Sequence, residues 1–207
     1  MNSFTYLTAI AAPFEMANID TDKLFPSRFG KKLRTAEASY GPWLFYDMRY
    51  DADGREQPDF VLNQTAYRDA AILVAGANFG CGSSREAAVY ALVDCGIRSV
   101  IAPSFGDIHY ANQLQNGMLP VILPEETCRK LREQLRAQPG AQLTIDLEAQ
   151  CVTDTTGARH GFDIDATYKE RLLKGLDDIG LVLQYMPRIE AFERRYRDEA
   201  PWLARKR

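Results

Sequence analysis

The densest chemistry in the chain lies in one run, Gly76-Ala77-Asn78-Phe79-Gly80-Cys81-Gly82-Ser83-Ser84-Arg85-Glu86. Glycines let backbone approach a ligand closely and adopt positive φ. A helix start offers unpaired N–H groups and partial positive charge, which suit an anion. Arg85 adds a fork of donors matched to a carboxylate, and Ser83 and Ser84 add hydroxyls. The run therefore reads as a carboxylate- or phosphate-binding loop with a candidate serine base. Other roles compete for the same residues. Ser83-x-x-Glu86 fits a capping box, in which Ser83 only caps the helix and Glu86 reaches back. The glycines are spaced GxxxGxG rather than GxGxxG, and no acidic residue closes a second strand about twenty residues on, which argues against a dinucleotide site. Cys81 near a helix start is a candidate nucleophile. Neither His109 nor His160 stands at a spacing that marks it as the base, and a small buried thiol is the simpler role. His109 falls within an expected helix and reads as a hydrogen-bonded structural histidine.

The rest of the chain bounds what this loop can serve. Its 207 residues are 46% hydrophobic and 26% charged, with a net charge of −3. That is the balance of a globular protein with one sizeable core. It lacks the basic excess of a nucleic-acid partner. The apolar runs are too short to span a membrane. No basic stretch followed by an apolar one opens the chain as a signal peptide would, so the cytoplasm is the expected location. Cys81, Cys95, Cys128 and Cys151 are scattered without a CxxC pair, so no disulfide framework is expected. A metal or iron–sulfur cluster held by this chain alone would need clustered ligands, and none is expected.

The elements that must position the loop follow from periodicity. Thr5 to Pro13 reads as a strand that runs into the polar turn Asn18-Ile19-Asp20-Thr21-Asp22. Lys23 to Gly54 is irregular, with a basic run (Arg28, Lys31, Lys32, Arg34) and then aromatics (Trp43, Phe45, Tyr46, Tyr50). Such a long irregular segment is either a solvated loop with aromatic anchors or a functional one. Ala70 to Ala75 suits a strand buried on both faces. Ser84 to Asp94 reads as a helix stopped by Gly96, with Ala88, Ala91 and Leu92 on one face. A strand at Ser99–Ala102, a helix from Phe105 to Asn116 and a strand from Leu119 to Leu123 complete a parallel βαβαβ unit. A helix over Glu125–Ala137 follows, then strands at Leu143–Leu147, Cys151–Thr153 and Gly161–Ile164. Helices are expected over Ala166–Lys174 and Arg188–Arg197, and Arg205-Lys206-Arg207 reads as a frayed, solvated end.

Several motifs in register resemble the swivelling domain of the aconitase superfamily. They are Asn78 to Glu86, Ile101 to Ile108 followed by Asn112 and Gly117 to Pro120, Asn18 to Asp22, Pro58 to Asn63, and Gly175 to Leu181. The chain looks closest to small subunits of bacterial 3-isopropylmalate dehydratases, over roughly residues 5 to 200. The resemblance implies an α/β fold: a swivelling β/β/α domain over residues 1–207 with an added β layer and a helical extension from about residue 186. It implies a hydro-lyase of leucine biosynthesis that moves a hydroxyl between adjacent carbons of a small hydroxy di-acid. It also implies a large-subunit partner carrying a [4Fe–4S] cluster, with no cofactor on this chain. By motif, Ser83 takes the role of base, and Ser84, Arg85, Gly82 and Asn78 contact the substrate. Arg28, Phe29, Gly30, Lys31 and Lys32 fall on the family's substrate-selecting segment. Two positions depart from the pattern. Gly30 stands where related chains carry a larger apolar residue, leaving more room and more backbone freedom. Ala87 stands where the family has His, which removes a polar contact near the site. These departures leave open a paralogue acting on another 2-hydroxy acid, such as a methyl-substituted malate. A non-catalytic carboxylate- or phosphate-binding domain is a second alternative. A stand-alone hydrolase is disfavoured for want of a histidine partner.

Overall fold

The structure is a computed structural model that describes residues 2–31, 33–35, 38–82 and 85–203. In chain order its regular elements begin with β1 (Tyr6–Pro13), α1 (Thr21–Leu24), α2 (Tyr46–Arg49) and β2 (Ile72–Val74). Then come α3 (Ala87–Asp94), β3 (Ser99–Ala102), α4 (Asp107–Gln115), β4 (Leu119–Ile122) and α5 (Glu125–Ala137). The chain continues through β5 (Gln142–Asp146), β6 (Cys151–Thr153), β7 (Arg159–Gly161), α6 (Ala166–Lys174), α7 (Asp178–Leu183) and α8 (Met186–Glu199). The described strands form one seven-stranded sheet in the order β4-β3-β2-β1-β5-β6-β7.

Strand β1 joins the two halves of that sheet. Tyr6 to Ile10 pair antiparallel with β5, whereas Ala11 to Pro13 pair parallel with β2. The βαβαβ unit accordingly appears as β2-α3-β3-α4-β4 with parallel pairing. The β strands expected as an added layer continue the same sheet antiparallel through β5, β6 and β7. Pro120 lies in β4, at an edge of the sheet, where a missing N–H breaks no inner ladder. Strands β2 and β3 are buried throughout because apolar clusters cover both faces. On one face Leu73, Val100 and Ala102 meet Ala88, Ala91 and Leu92 of α3. On the other, Ile72, Val74 and Ile101 meet Cys128, Leu131 and Leu135 of α5.

Apart from shifts of one or two residues at other element ends, three departures from the sequence expectation have a local reason. Helix α3 starts at Ala87 rather than Ser84, and Glu86 occupies its cap position without a side-chain capping bond. The Glu86 carboxylate accepts from Asn116 Nδ2 at 2.8 Å, just beyond the end of α4, and Ser83, the other half of the expected capping box, lies outside the described residues. Strand β7 spans Arg159–Gly161 rather than Gly161–Ile164, because its register against Cys151–Thr153 is set by the tight turn at Gly157. Helix α7 lies outside the expected elements; Asp177 caps it by accepting from Gly180 N. The segment from Lys23 to Gly54 is not uniformly irregular. It holds α2 and two short 3₁₀ turns, knitted by an aromatic cluster around Phe25, Phe29, Tyr40 and Trp43.

Candidate functional site

The loop after β2 is stitched between the loops that follow β1 and β3. Gly80 N and Cys81 N both donate to Ile19 O, at 2.7 and 3.1 Å, and Thr21 N donates to Cys81 O at 3.1 Å. On the other side Phe79 N donates to Ser104 O at 3.0 Å and Gly106 N to Phe79 O at 2.9 Å. The loop thus sits at the carboxyl ends of neighbouring parallel strands, where α/β sheets gather ligands. Beneath it, Arg132 of α5 is almost fully buried and donates to Ala75 O at 2.7 Å, fixing the carbonyl where the loop leaves β2.

Asn78 adopts the left-handed region with φ 59°. Its backbone N–H donates to Ser104 Oγ at 2.9 Å, and its Nδ2 donates to Asn18 Oδ1 at 2.8 Å. Gly80 is required by packing: at φ 72°, a Cβ there would lie 2.0 Å from Cδ2 of His109. Gly82 turns the chain with φ 90°, a conformation that side chains strain to reach. Together with Cys81, Gly106 and Asp107, these residues border an open depression of about 290 Å³ at the N-terminus of α4.

Arg85 is the cation of the candidate site. It is half-buried, and its guanidinium engages Asp22 through both Nη atoms, with Nη1 to Oδ1 at 2.6 Å. The Arg85 bond pulls the Asp22 carboxyl below its usual range, helped by the backbone N–H and hydroxyl of Ser27. Asp22 in turn raises the pKa of Arg85. The fork expected to hold a ligand carboxylate therefore holds a carboxylate of its own chain. Asp22 is the site residue that sequence reasoning passed over as part of a polar turn. An acid in a motif otherwise suited to anions was the available signal.

Through Ser27 the same carboxylate reaches the expected substrate-selecting segment. Ser27–Phe29 form a 3₁₀ turn. Arg28 pairs with Asp47, with Nη1 at 2.9 Å, and its guanidinium lies 4.6 Å from the Phe29 ring centre. Phe29 stacks on Trp43 with ring centres 5.3 Å apart. Gly30 has an ordinary helical φ of −67°, so glycine here provides space and not unusual backbone. Lys31 is exposed. Ala87, the first residue of α3, is half-buried and packs against the core. Ser83, Ser84, Lys32 and residues 205–207 lie outside the described residues.

The competing nucleophile reading loses its base. His109 is buried, and burial pushes its pKa down to about 4, too weak a base for a thiol at neutral pH. It is not hydrogen-bonded as expected: neither ring nitrogen has a partner among the described residues, because the ring packs into the space left by Gly80 and against Phe79. His160 pairs with Asp154 at 3.0 Å in the β6–β7 hairpin. Among the described residues no group of three or more His, Cys, Asp or Glu is placed to hold a metal.

Comparison with known proteins accords with this geometry. Residues 1–126 match the family described as the aconitase C-terminal domain, and residues 129–166 match the LeuD_N family. Residues 178–206 match the C-terminal domain of the 3-isopropylmalate dehydratase small subunit. A protein from Dinoroseobacter shibae named 3-isopropylmalate dehydratase small subunit is 50% identical over 98% of this chain and 100% of its own length. One of the same name from Paramagnetospirillum magneticum is also 50% identical, with the same coverage of both chains. A solved structure titled 3-isopropylmalate dehydratase, from Methanocaldococcus jannaschii, shares the fold with a TM-score of 0.64. It is 24% identical and spans 91% of this chain and 99% of its own. The chain belongs to the family of 3-isopropylmalate dehydratase small subunits.

Proposed function

We propose that this chain supplies the serine side of a two-chain hydro-lyase that isomerises 2-isopropylmalate to 3-isopropylmalate in leucine biosynthesis. The observation that carries the reading is the half-buried Arg85, paired with Asp22 and following the loop at the parallel strand ends, in a chain half identical to named small subunits. Asp22 is the more exposed partner of the pair, 58% against 31% for the Arg85 side chain, so a substrate carboxylate would displace it from Arg85 while Ser27 still holds it. Ser84, Gly82 and Asn78 complete the carboxylate contacts. Ser83 is the base: its oxygen takes the proton from the carbon beside the carboxylate as the hydroxyl leaves the neighbouring carbon. Water then adds back with the opposite orientation, returning the proton to the other carbon. A serine alkoxide needs a nearby cation, and Arg85 stands two positions along the chain.

The donor set of this chain does not fit an iron–sulfur cluster, since its four cysteines are dispersed in sequence. The [4Fe–4S] cluster belongs to the large subunit in this proposal. The sequence segment with Arg28, Phe29, Gly30, Lys31 and Lys32 selects the substrate side chain, supported by the link of the turn at Ser27–Phe29 through Asp22 to Arg85. Residues 1–207 act as one swivelling domain with a helical extension from about residue 186. The cytoplasm is the proposed location; no helix among the described residues is long and apolar enough to cross a membrane. The test is Ser83→Ala reconstituted with the large subunit. It should pair normally and lose turnover by roughly 10³-fold or more. Near-full activity removes Ser83 from the role of base.

A further inference from the structure

The segment after α6 folds into helices that lie outside the apolar core. Among the described residues of α7 and α8 none is buried, and neither apolar core extends past Leu173. Of the twelve large apolar side chains left exposed among the described residues, seven lie between Ile179 and Trp202. Along α8 the exposed Phe192 and Tyr196 line up with the partly buried Ile189 and with the exposed Tyr185 at the helix cap, at intervals of four, three and four, the spacing of a helix–helix seam. Phe192 and Tyr196 stack with ring centres 5.6 Å apart. Arg171 ties the start of α7 to the body through Asp178 at 2.6 Å, so the arm leaves from a fixed point.

We infer that this arm is the docking element for the large subunit, its seam received by an apolar groove on that chain. The family matches point to this occupant. The body, residues 1–126, matches a domain described simply as the aconitase C-terminal domain. The arm coincides with a match at residues 178–206 that is described as belonging to the dehydratase small subunit. Residues 129–166 also match a LeuD family, but they pack into the core; of the two LeuD stretches the arm is the one whose described residues leave their apolar face uncovered. A domain that must find its partner without a covalent link needs such a handle, and apolar anchors in a groove are how amphipathic helices bind. Arg188 and Glu193 flank the seam with opposite charges, and the Arg195 guanidinium lies 5.7 Å from the Phe192 ring centre, which sets orientation and discourages indiscriminate sticking.

The inference rests on the small-subunit reading, and the experiment separates the two. Purified large subunit is titrated with wild type, with Phe192→Glu combined with Tyr196→Glu, and with Phe192→Leu combined with Tyr196→Leu. Kd and turnover at saturating partner are both read. The Glu variant should weaken pairing by roughly tenfold or more, as loss of aromatic anchors does. Its kcat at saturation and its urea midpoint should match wild type, because both side chains are exposed; the Leu variant should recover most of the affinity. Equal Kd for wild type and the Glu variant overturns the inference alone. No complex with wild type overturns the family reading and this inference together. Light scattering that shows wild type self-associating through the seam, with large-subunit affinity untouched by the Glu variant, assigns the seam to a second copy and overturns the inference.

Discussion

Gly80→Ala is the sharpest test of how the loop is held. The added Cβ would sit 2.0 Å from Cδ2 and 2.2 Å from Cγ of His109, on a backbone at φ 72°. Left-handed φ costs a non-glycine residue about 1–2 kcal/mol, and overpacking a filled site costs about 1–3 kcal/mol more. The single substitution should therefore destabilise by about 2–5 kcal/mol. His109→Ala removes a buried ring that has no hydrogen-bond partner among the described residues. It should cost about 2 kcal/mol through the cavity it leaves. In the double variant the clash disappears and the new methyl fills part of that cavity, so only the φ strain and a smaller void remain. Its cost should fall short of the sum of the singles by about 1–3 kcal/mol, the range of coupling for residues in contact. Urea unfolding of all four proteins closes the cycle. Strict additivity, or a neutral Gly80→Ala, would refute the claim that the ring and the missing side chain share one space.

Arg132→Met should cost about 2–3 kcal/mol by stranding the buried Ala75 carbonyl, and it should lower turnover as well, because that carbonyl begins the loop; unchanged turnover in the folded variant would break the link between α5 and the site. Asp154 is buried; burial alone would raise its pKa, but bonds from His160, Thr156 and Gln134 hold it well below the ordinary value of 3.8. A carboxyl with a depressed folded pKa stabilises above its unfolded pKa, and that contribution is lost as pH falls through the folded value. Unfolding free energy should therefore drop as pH falls below about 4 and be flatter across that range in Asp154→Asn; identical pH slopes would contradict this. Asp22→Asn should change stability by under about 1 kcal/mol, since its pair with Arg85 is solvent-exposed. It should also tighten binding of a di-acid substrate analogue by removing the internal competitor for Arg85, read by calorimetry; weaker binding would show that Asp22 assists the ligand instead.

Much of the fold was legible because its signals are local. The apolar run Ile72–Val74 and the βαβαβ order required only burial on both faces of a parallel sheet, and α5 and α6 match their expected limits residue for residue. The sequence did not show where α3 begins, because Glu86 serves either a capping box or a distant partner, and Asn116 is thirty positions away. That β1 serves both parallel and antiparallel neighbours depends on pairings with Ile72 and Gln142 that no local pattern encodes. At the candidate site, the types and spacing of Asn78, Gly82 and Arg85 marked the loop at the end of β2, where the structure places them. The Asp22–Arg85 pair was not, since sixty-three positions separate its members. The role of Gly30 was obscured for a similar reason: glycine signals freedom in φ, but the 3₁₀ turn at Ser27–Phe29 leaves it at an ordinary angle.

The central claim is that charge at the start of the α3 region serves a substrate acid and a serine oxygen, and that this chain does so only beside its partner. Steady-state conversion of 2-isopropylmalate, measured for this chain alone, the large subunit alone and the two mixed, addresses it directly. The account predicts turnover in the mixture only, abolished by Arg85→Ala and faster than hydration of citraconate. Full activity of the large subunit alone, or an Arg85→Ala mixture as active as wild type, would contradict it.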